Sequence, residues 1–430
     1  MSWQQGLQYA ALTDIGKRRK NNQDAHSVVL AGDETSWQQR GHVFMVADGM
    51  GAHAAGELAS KIAVDSVPHL YRKHRDVSAP EALEKALVEA NAEVHRRGQA
   101  NIDFHNMGTT ASVMALLPQG AIVAHIGDSR VYRMRGDKLE QLTFDHSLQW
   151  ELRAAGQFSG DSDLAKMVPK NVITRSLGPN AQVQVDIEGP FPVEVGDTFL
   201  LCSDGLTGQI EDAELAPILA SLAPAEAAQF LVHLANLRGG PDNITLILAK
   251  VTDPALTTQN GNSQPIRVGG EQTERKIHPA IWVVSSVCFL AAVVMMITGS
   301  NIAAAVAGLG GLLTLGAGFV HRWNGRLSGV TLSDGKRLGR GPYAQANCAG
   351  SGQLLQKLEA ITSELREAAR ANDWQLDWHK FDGFCKQAAD TTRENKHTAA
   401  IQAYAQAITT MMSAIRTQKK KKPSDSDVVL

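Results

Sequence analysis

The stretch Val43-Phe-Met-Val-Ala-Asp48-Gly49-Met50-Gly51-Ala-His53-Ala-Ala-Gly56-Glu57 decides how the chain is read. Its apolar run, Val43 to Ala47, reads as a buried strand that stops at an acid followed by small residues. Gly49 and Gly51 let the backbone bend sharply and come close to whatever the acid binds. An acid at a strand tip suits a hard cation that takes oxygen ligands. Asp-Gly is also a common turn pair, so one copy would decide nothing. The same device recurs at Gly127-Asp128-Ser129, Ser203-Asp204-Gly205 and Pro241-Asp242-Asn243, and the repetition favours a shared cation site over unrelated turns.

Adding Asp24 makes five acids that end strands or sit among small residues: Asp24, Asp48, Asp128, Asp204 and Asp242. Singly, each reads as a turn or cap residue. Together they predict convergence on one cleft. An oxygen-rich site without His or Cys clusters favours Mg2+ or Mn2+ over zinc. A pair of such ions can hold a bridging water, lower its pKa and stabilise in-line attack on phosphorus. Phosphate also calls for forked donors, and Arg18 and Arg19 stand just upstream of Asp24. Without Asp24 nearby, the Arg-Arg-Lys run would read as a solvated surface.

Strands are expected near Tyr9–Thr13, Ser27–Leu30, His42–Ala47, Thr110–Leu117, Ala121–Ile126, Val131–Met134, Lys138–Leu142, Thr198–Cys202 and Ile244–Val251. The Arg135-Gly136-Asp137 turn between two short strands argues for antiparallel hairpins. Ser78-Ala-Pro-Glu81 is a capping-box pattern, and it opens a helix whose Leu83, Leu87, Ala90 and Val94 share one face. Another helix is expected from Leu58, Ile62 and Ala63. Meanders with long helical excursions imply an α+β fold in which antiparallel sheets packed as a sandwich are flanked by helices.

A chain of 430 residues accommodates several domains. With Lys+Arg 42 against Asp+Glu 44 there is no basic excess, so no nucleic-acid partner is expected. Cys202, Cys288, Cys348 and Cys385 lack CxxC spacing and predict free thiols in a reducing compartment. The N-terminus carries no signal-peptide pattern, so the region before the first apolar span is expected in the cytoplasm.

Residues 1–252 read as the α+β domain, and 253–279 as a polar linker. Ile281–Thr298 and Ile302–Val320 are uncharged apolar runs with basic outer flanks (Arg275, Lys276, Arg322, Arg326). They predict a membrane hairpin over 280–321 with both flanks cytoplasmic, the alternative being a buried core hairpin. Ala303, Ala307 and Gly311 form a small-residue face for close helix packing. A loop-rich connector (322–350) leads to a helical domain (351–418), marked by Leu354, Leu358, Ile361 and Leu365 and later by Ile401, Tyr404, Ala405 and Ile408. The basic tail 419–430, with Lys419 to Lys422, reads as a solvated end or a contact to anionic lipid.

Eight motifs in order carry a resemblance. They are Gly16-Lys-Arg-Arg19-Lys-Asn-Asn22-Gln23-Asp24, Val46-Ala-Asp48-Gly49-Met-Gly51, Met107-Gly108-Thr109-Thr110, Gly127-Asp128-Ser129-Arg130, Leu142-Thr-Phe-Asp145-His146-Ser147, Thr174-Arg175-Ser-Leu-Gly178, Leu201-Cys-Ser203-Asp204-Gly205-Leu-Thr207 and Asp242-Asn243-Ile-Thr245. Over about 1–252 this resembles the metal-dependent protein phosphatases of type 2C, in their bacterial branch. The resemblance implies a protein Ser/Thr phosphatase using two Mn2+ or Mg2+ ions, with a third, weaker one. Asp48 would bridge both metals and the Gly49 carbonyl would be a further ligand. Asp204 and Asp242 would complete one shell, Asp24 would support the other through its hydration shell, and Asp128 with Asp204 would hold the third ion. Arg19 matches the phosphate-binding arginine.

Two departures stand out. Gln23 replaces an acid often found there, which lowers the site's negative charge. Met50 stands where animal members carry a histidine proposed as general acid, and of the nearby histidines His53 and His146 read as structural. The expected partners are a phosphorylated protein substrate, a cognate Ser/Thr kinase and, through the hairpin, the membrane. The competing reading is an inert, phosphatase-like scaffold that binds phosphoproteins; intact Asp48, Asp204 and Asp242 argue against it. The C-terminal helices are expected as a candidate recognition module.

Overall fold

Strands that alternate inward and outward side chains build two antiparallel sheets, face to face. The computed structural model describes residues 6–51, 54–157, 167–169, 172–258, 266–268, 279–326, 330–332, 337–348 and 351–421. The first sheet contains β1 (Leu7–Asp14), β11 (Ile244–Val251), β10 (Thr198–Cys202), β7 (Arg130–Arg135), β8 (Lys138–Gln141) and β14 (Ala344–Asn347), in that order. The second runs β2 (Asp24–Val29), β3 (His42–Met50), β5 (Ala111–Leu117), β6 (Gly120–Ile126) and β9 (Asp186–Phe191), with β4 (Gly108–Thr109) on the end of β3.

Phe44, Val46, Met114, Val131, Phe199, Leu201 and Ile247 meet between the sheets, each contributing roughly 1.5–3 kcal/mol by burial. With a side-chain period of two, Asp48 shares the face of Phe44 and Val46 and so points toward the inter-sheet space at its end. Outside, α1 (Glu34–Arg40), α2 (Ala55–Lys73), α3 (Ala79–Ala100) and α4 (Leu148–Ala154) accompany the first half of the domain. The α3 start is capped as expected, Glu81 Oε2 accepting from Ser78 N at 3.0 Å and Ser78 Oγ at 2.7 Å. The short α5 (Asp204–Thr207) leads into α6 (Asp212–Ser221) and α7 (Pro224–Leu237).

The sandwich expected from sequence is present, with local differences. β2 starts at Asp24 rather than Ser27, and β3 continues through Asp48 to Met50 because Gly49 and Met50 pair with Thr109 and Gly108. β9 and β14 were not anticipated: β9 carries Gly189 and Pro190, β14 is the polar Ala-Gln-Ala-Asn, and both are strands because a partner edge is present.

The C-terminal helices α10 (Ser351–Ala371), α11 (Trp378–Arg393) and α12 (His397–Lys421) follow α8 (Pro279–Ile297) and α9 (Asn301–Arg326). Leu354, Leu358, Ile401, Tyr404 and Ile408 enter the same core as Leu215, Leu219, Phe230 and Leu231 of α6 and α7. Met1–Gln264 and Arg337–Leu430 consequently form one compact unit, and Pro265–Lys336 a second. Where the sequence suggests a separate helical domain, the apolar stripes of α10 and α12 have a nearer partner in α6 and α7.

In the second unit β12 (Ile266–Val268) pairs with β13 (Val330–Leu332), and α8 and α9 form a hairpin in which Ser285 Oγ donates to Gly311 O at 3.3 Å. Among the described residues, no helix is long and apolar enough to cross a membrane. The expected pair of spans is therefore not supported by these helices. Trp282, Val287, Leu290, Leu309 and Leu313 are nevertheless exposed. His53 and the residues from 422 onward lie outside the described residues.

Candidate active site

Antiparallel pairing brings the five acids to one end of the sandwich. Asp24, the first residue of β2, stands opposite Asp48 of β3 in register. Cys202 pairs with both Leu246 and Arg130, so Asp204 beyond β10, Asp242 before β11 and Asp128 before β7 emerge side by side. Asp48 consequently feels the charges of Asp24, Asp204, Asp128 and Asp242.

Neighbouring polar groups fix this cluster. Asp48 N donates to Thr110 Oγ1 at 2.9 Å, and its carbonyl accepts from Thr110 N at 2.8 Å and Thr109 Oγ1 at 3.0 Å. Ser203 Oγ donates to Asp24 Oδ2 at 2.7 Å. Asn243 ties down the loop carrying Arg19: its Oδ1 accepts from Gln23 N at 2.8 Å, and its Nδ2 donates to Ile15 O and Asn21 O at 2.9 and 3.0 Å. Ser203, Thr110 and Asn243 stood inside the recognised motifs without a role; a hydroxyl or amide beside each acid was the available signal. Gly49 is required by close approach, since a Cβ there would lie 2.0 Å from Gly56 O.

Burial and mutual repulsion hold Asp24, Asp48, Asp128 and Asp204 toward their neutral forms. Burial, with Asp204 and Asp242 adding to it against the hydrogen bonds from Ser203 and Thr245, raises Asp24 to about 7. Burial and the Asp204 and Asp145 charges raise Asp128 to about 7 as well. Asp48 is pushed well up by burial and by four carboxylates, and Asp204 is raised by burial and Asp242. The buried Oδ1 atoms of Asp24, Asp128 and Asp204 have no hydrogen-bond partner. Buried carboxylate oxygens without donors are costly, and a divalent cation meets both the charge and the missing partner. The donor set therefore fits hard ions. As the side chains stand, no group of three or more His, Cys, Asp or Glu among the described residues is placed so that it could hold a metal ion.

Arg19, half exposed, donates to Asp242 Oδ2 at 2.7 Å, which places a guanidinium at the rim of the acid cluster. His146 is fully buried, accepts from Gly127 N at 3.0 Å and contacts Asp186 at 3.0 Å; its role is structural. Met50 has no proton to donate. Gln23 sits with its Nε2 3.4 Å from Gly51 O.

The family model described as Protein phosphatase 2C matches residues 16–237, a little over half of the 430-residue chain. The chain belongs to this family. It is a metal-dependent protein Ser/Thr phosphatase whose cofactor is Mn2+ or Mg2+. Protein phosphatase PhpP of Streptococcus pneumoniae is 39% identical over 254 residues, covering 57% of this chain and 98% of that protein. The solved S. agalactiae serine/threonine phosphatase is 34% identical with a TM-score of 0.50, covering 57% of this chain and 99% of that one. The Mycobacterium tuberculosis phosphatase PstP/Ppp is 32% identical, again at TM-score 0.50 with 57% and 99% covered. The phosphatase thus carries, beyond the sandwich, a C-terminal portion outside the family model.

Proposed function

We propose that this phosphatase hydrolyses phosphoserine and phosphothreonine in cytoplasmic proteins by direct attack of water, with no phosphoenzyme. Asp48, Asp204, Asp242, Asp24 and the Gly49 carbonyl would hold two Mn2+ or Mg2+ ions, and Asp128 with Asp204 a third. The observation that carries this reading is the gathering of five acids at one sandwich end, three with buried oxygens that no donor meets. When bound, the ions offset the acids' charge and make a water acidic enough to attack phosphorus at neutral pH.

The chain's own groups do the rest. Thr109 and Thr110 hold the Asp48 backbone, and Ser203 orients Asp24. Arg19 presents forked donors to phosphoryl oxygens, where charge grows in the transition state. Met50 and the sealed His146 cannot protonate the leaving oxygen, so its proton comes from solvent in the cleft.

Replacing Asp48 with Asn should abolish Mn2+-dependent hydrolysis of p-nitrophenyl phosphate. Full retention of turnover would refute the assigned centre and revive the scaffold reading. A cognate Ser/Thr kinase supplies the phosphorylated substrate in this proposal. Attachment to lipid rests on the exposed apolar residues of the α8–α9 hairpin and needs no spanning helix; recovery of the full chain wholly in the soluble fraction would count against it.

A further inference from the structure

The segment between β8 and α4 grips Asp128 from both sides. Arg130 Nε donates to Asp145 Oδ1 and Oδ2 at 3.0 and 2.9 Å, and its Nη2 to Oδ2 at 2.7 Å. On the other side Gly127 N donates to His146 Nδ1 at 3.0 Å, and His146 N donates to Gly127 O at 2.7 Å. Because Nδ1 accepts, the ring proton sits on Nε2 and is donated to Asp186 Oδ2 at 3.0 Å. Asp145 and His146 are thus two clamps on the residues flanking Asp128.

Phe144 lies directly before both clamps. Its ring packs edge-on against Trp150 of α4 at 5.5 Å and against Tyr343 at 5.4 Å. The Arg130 guanidinium in turn lies over the Trp150 ring, 5.6 Å from its centroid. Tyr343 belongs to the C-terminal portion. Its N donates to Gln141 O at 2.8 Å, its hydroxyl donates to Glu188, and β14 continues from it along β8. Glu188 Oε2 also accepts from Gly341 N at 3.0 Å. A strap that starts some hundred residues past the end of the family model at 237 therefore braces the segment that sets the posture of one acid.

We propose that Tyr343 is a positioning residue for the ion held at Asp128: by packing on Phe144 it keeps both clamps in place, so the C-terminal strap sets that ion's affinity. The inference rests on the reading of Asp128 as an ion ligand. It differs from a purely structural role for the strap, which would move stability and leave ion binding alone.

The test uses full-length protein and Mn2+ alone. Titration calorimetry without substrate gives the isotherm, thermal unfolding in EDTA gives stability, and Asp128→Asn serves as the control. Tyr343→Ala and Phe144→Leu should each weaken the weakest Mn2+-binding event by roughly tenfold, at the low end of what outer positioning partners of metal sites contribute, and leave the tighter events unchanged. Isotherms of both variants that superimpose on wild type overturn the proposal, whatever happens to the melting temperature. If Tyr343→Ala does not fold, Phe144→Leu decides alone. An unaltered isotherm for Asp128→Asn overturns the ligand reading itself and is thereby told apart from failure of the strap's role.

Discussion

Glu214 joins the phosphatase sheet's helices to the C-terminal ones, and replacing it with Gln should destabilise the whole unit. It sits on α6 with a side chain only 6% exposed, accepting from Arg238 Nη1 at 2.6 Å and Nη2 at 2.9 Å and from Lys357 Nζ of α10 at 2.9 Å. Burial pushes its carboxyl up, but the hydrogen bonds from Arg238 and Lys357 outweigh this and bring it from 4.5 to about 2. At about 1.4 kcal/mol per unit this is worth roughly 3 kcal/mol. Lys357 is half exposed and its share is screened, which trims the figure to about 2–3 kcal/mol. An unpaired Arg238 beside Gln pushes the cost of Glu214→Gln toward the upper end of that range.

The folded-state pKa is depressed, so this stability is complete above the unfolded value near 4.5 and is lost as pH falls toward 2. Urea unfolding of wild type and Glu214→Gln should show a constant gap from pH 7 to 5.5 that narrows at pH 4 and again at 3.5. A gap below ~0.5 kcal/mol at pH 7, or one that stays flat to pH 3.5, would refute the assignment.

Three further outcomes are expected. Arg19→Ala should lower kcat/KM for a phosphopeptide by roughly 100-fold; an unchanged value in steady-state assays would remove Arg19 from the phosphate site. Gly205→Ala would place a Cβ 1.9 Å from Asn243 O. That backbone cannot retreat without moving Asp242, so circular-dichroism melting should show a loss of at least ~2 kcal/mol. In EDTA, Asp24 is raised to about 7; a raised acid destabilises the folded state as pH climbs from about 4 to 7. The metal-free melting temperature should accordingly fall between pH 5.5 and 8, and saturating Mn2+ should abolish that trend. Parallel pH curves with and without Mn2+ would contradict the gathered-acid reading.

The gathering of the five acids was legible because strand ends are marked locally by apolar runs meeting Asp, Gly and Asn. Ser78 and Glu81 likewise announced the α3 cap, since a helix end must meet its own backbone donors within a few residues. The hairpin over 280–321 is the reading left without support: its two helices form, but among the described residues none is long and apolar enough to cross a membrane.

Local pattern alone therefore marked most of the sandwich strands, the acids at their ends and the class of ion such acids suit. Long-range pairing settled the remainder. Arg19 meets Asp242 across more than two hundred residues of chain, and the polar segment Ala344–Asn347 becomes a strand only because β8 offers an edge. The apolar stripes of α10 and α12 look identical in sequence whether they face each other or α6 and α7. Which surface they cover is set by where the chain's course leaves unburied apolar area, a quantity that exists only once the sheets have packed.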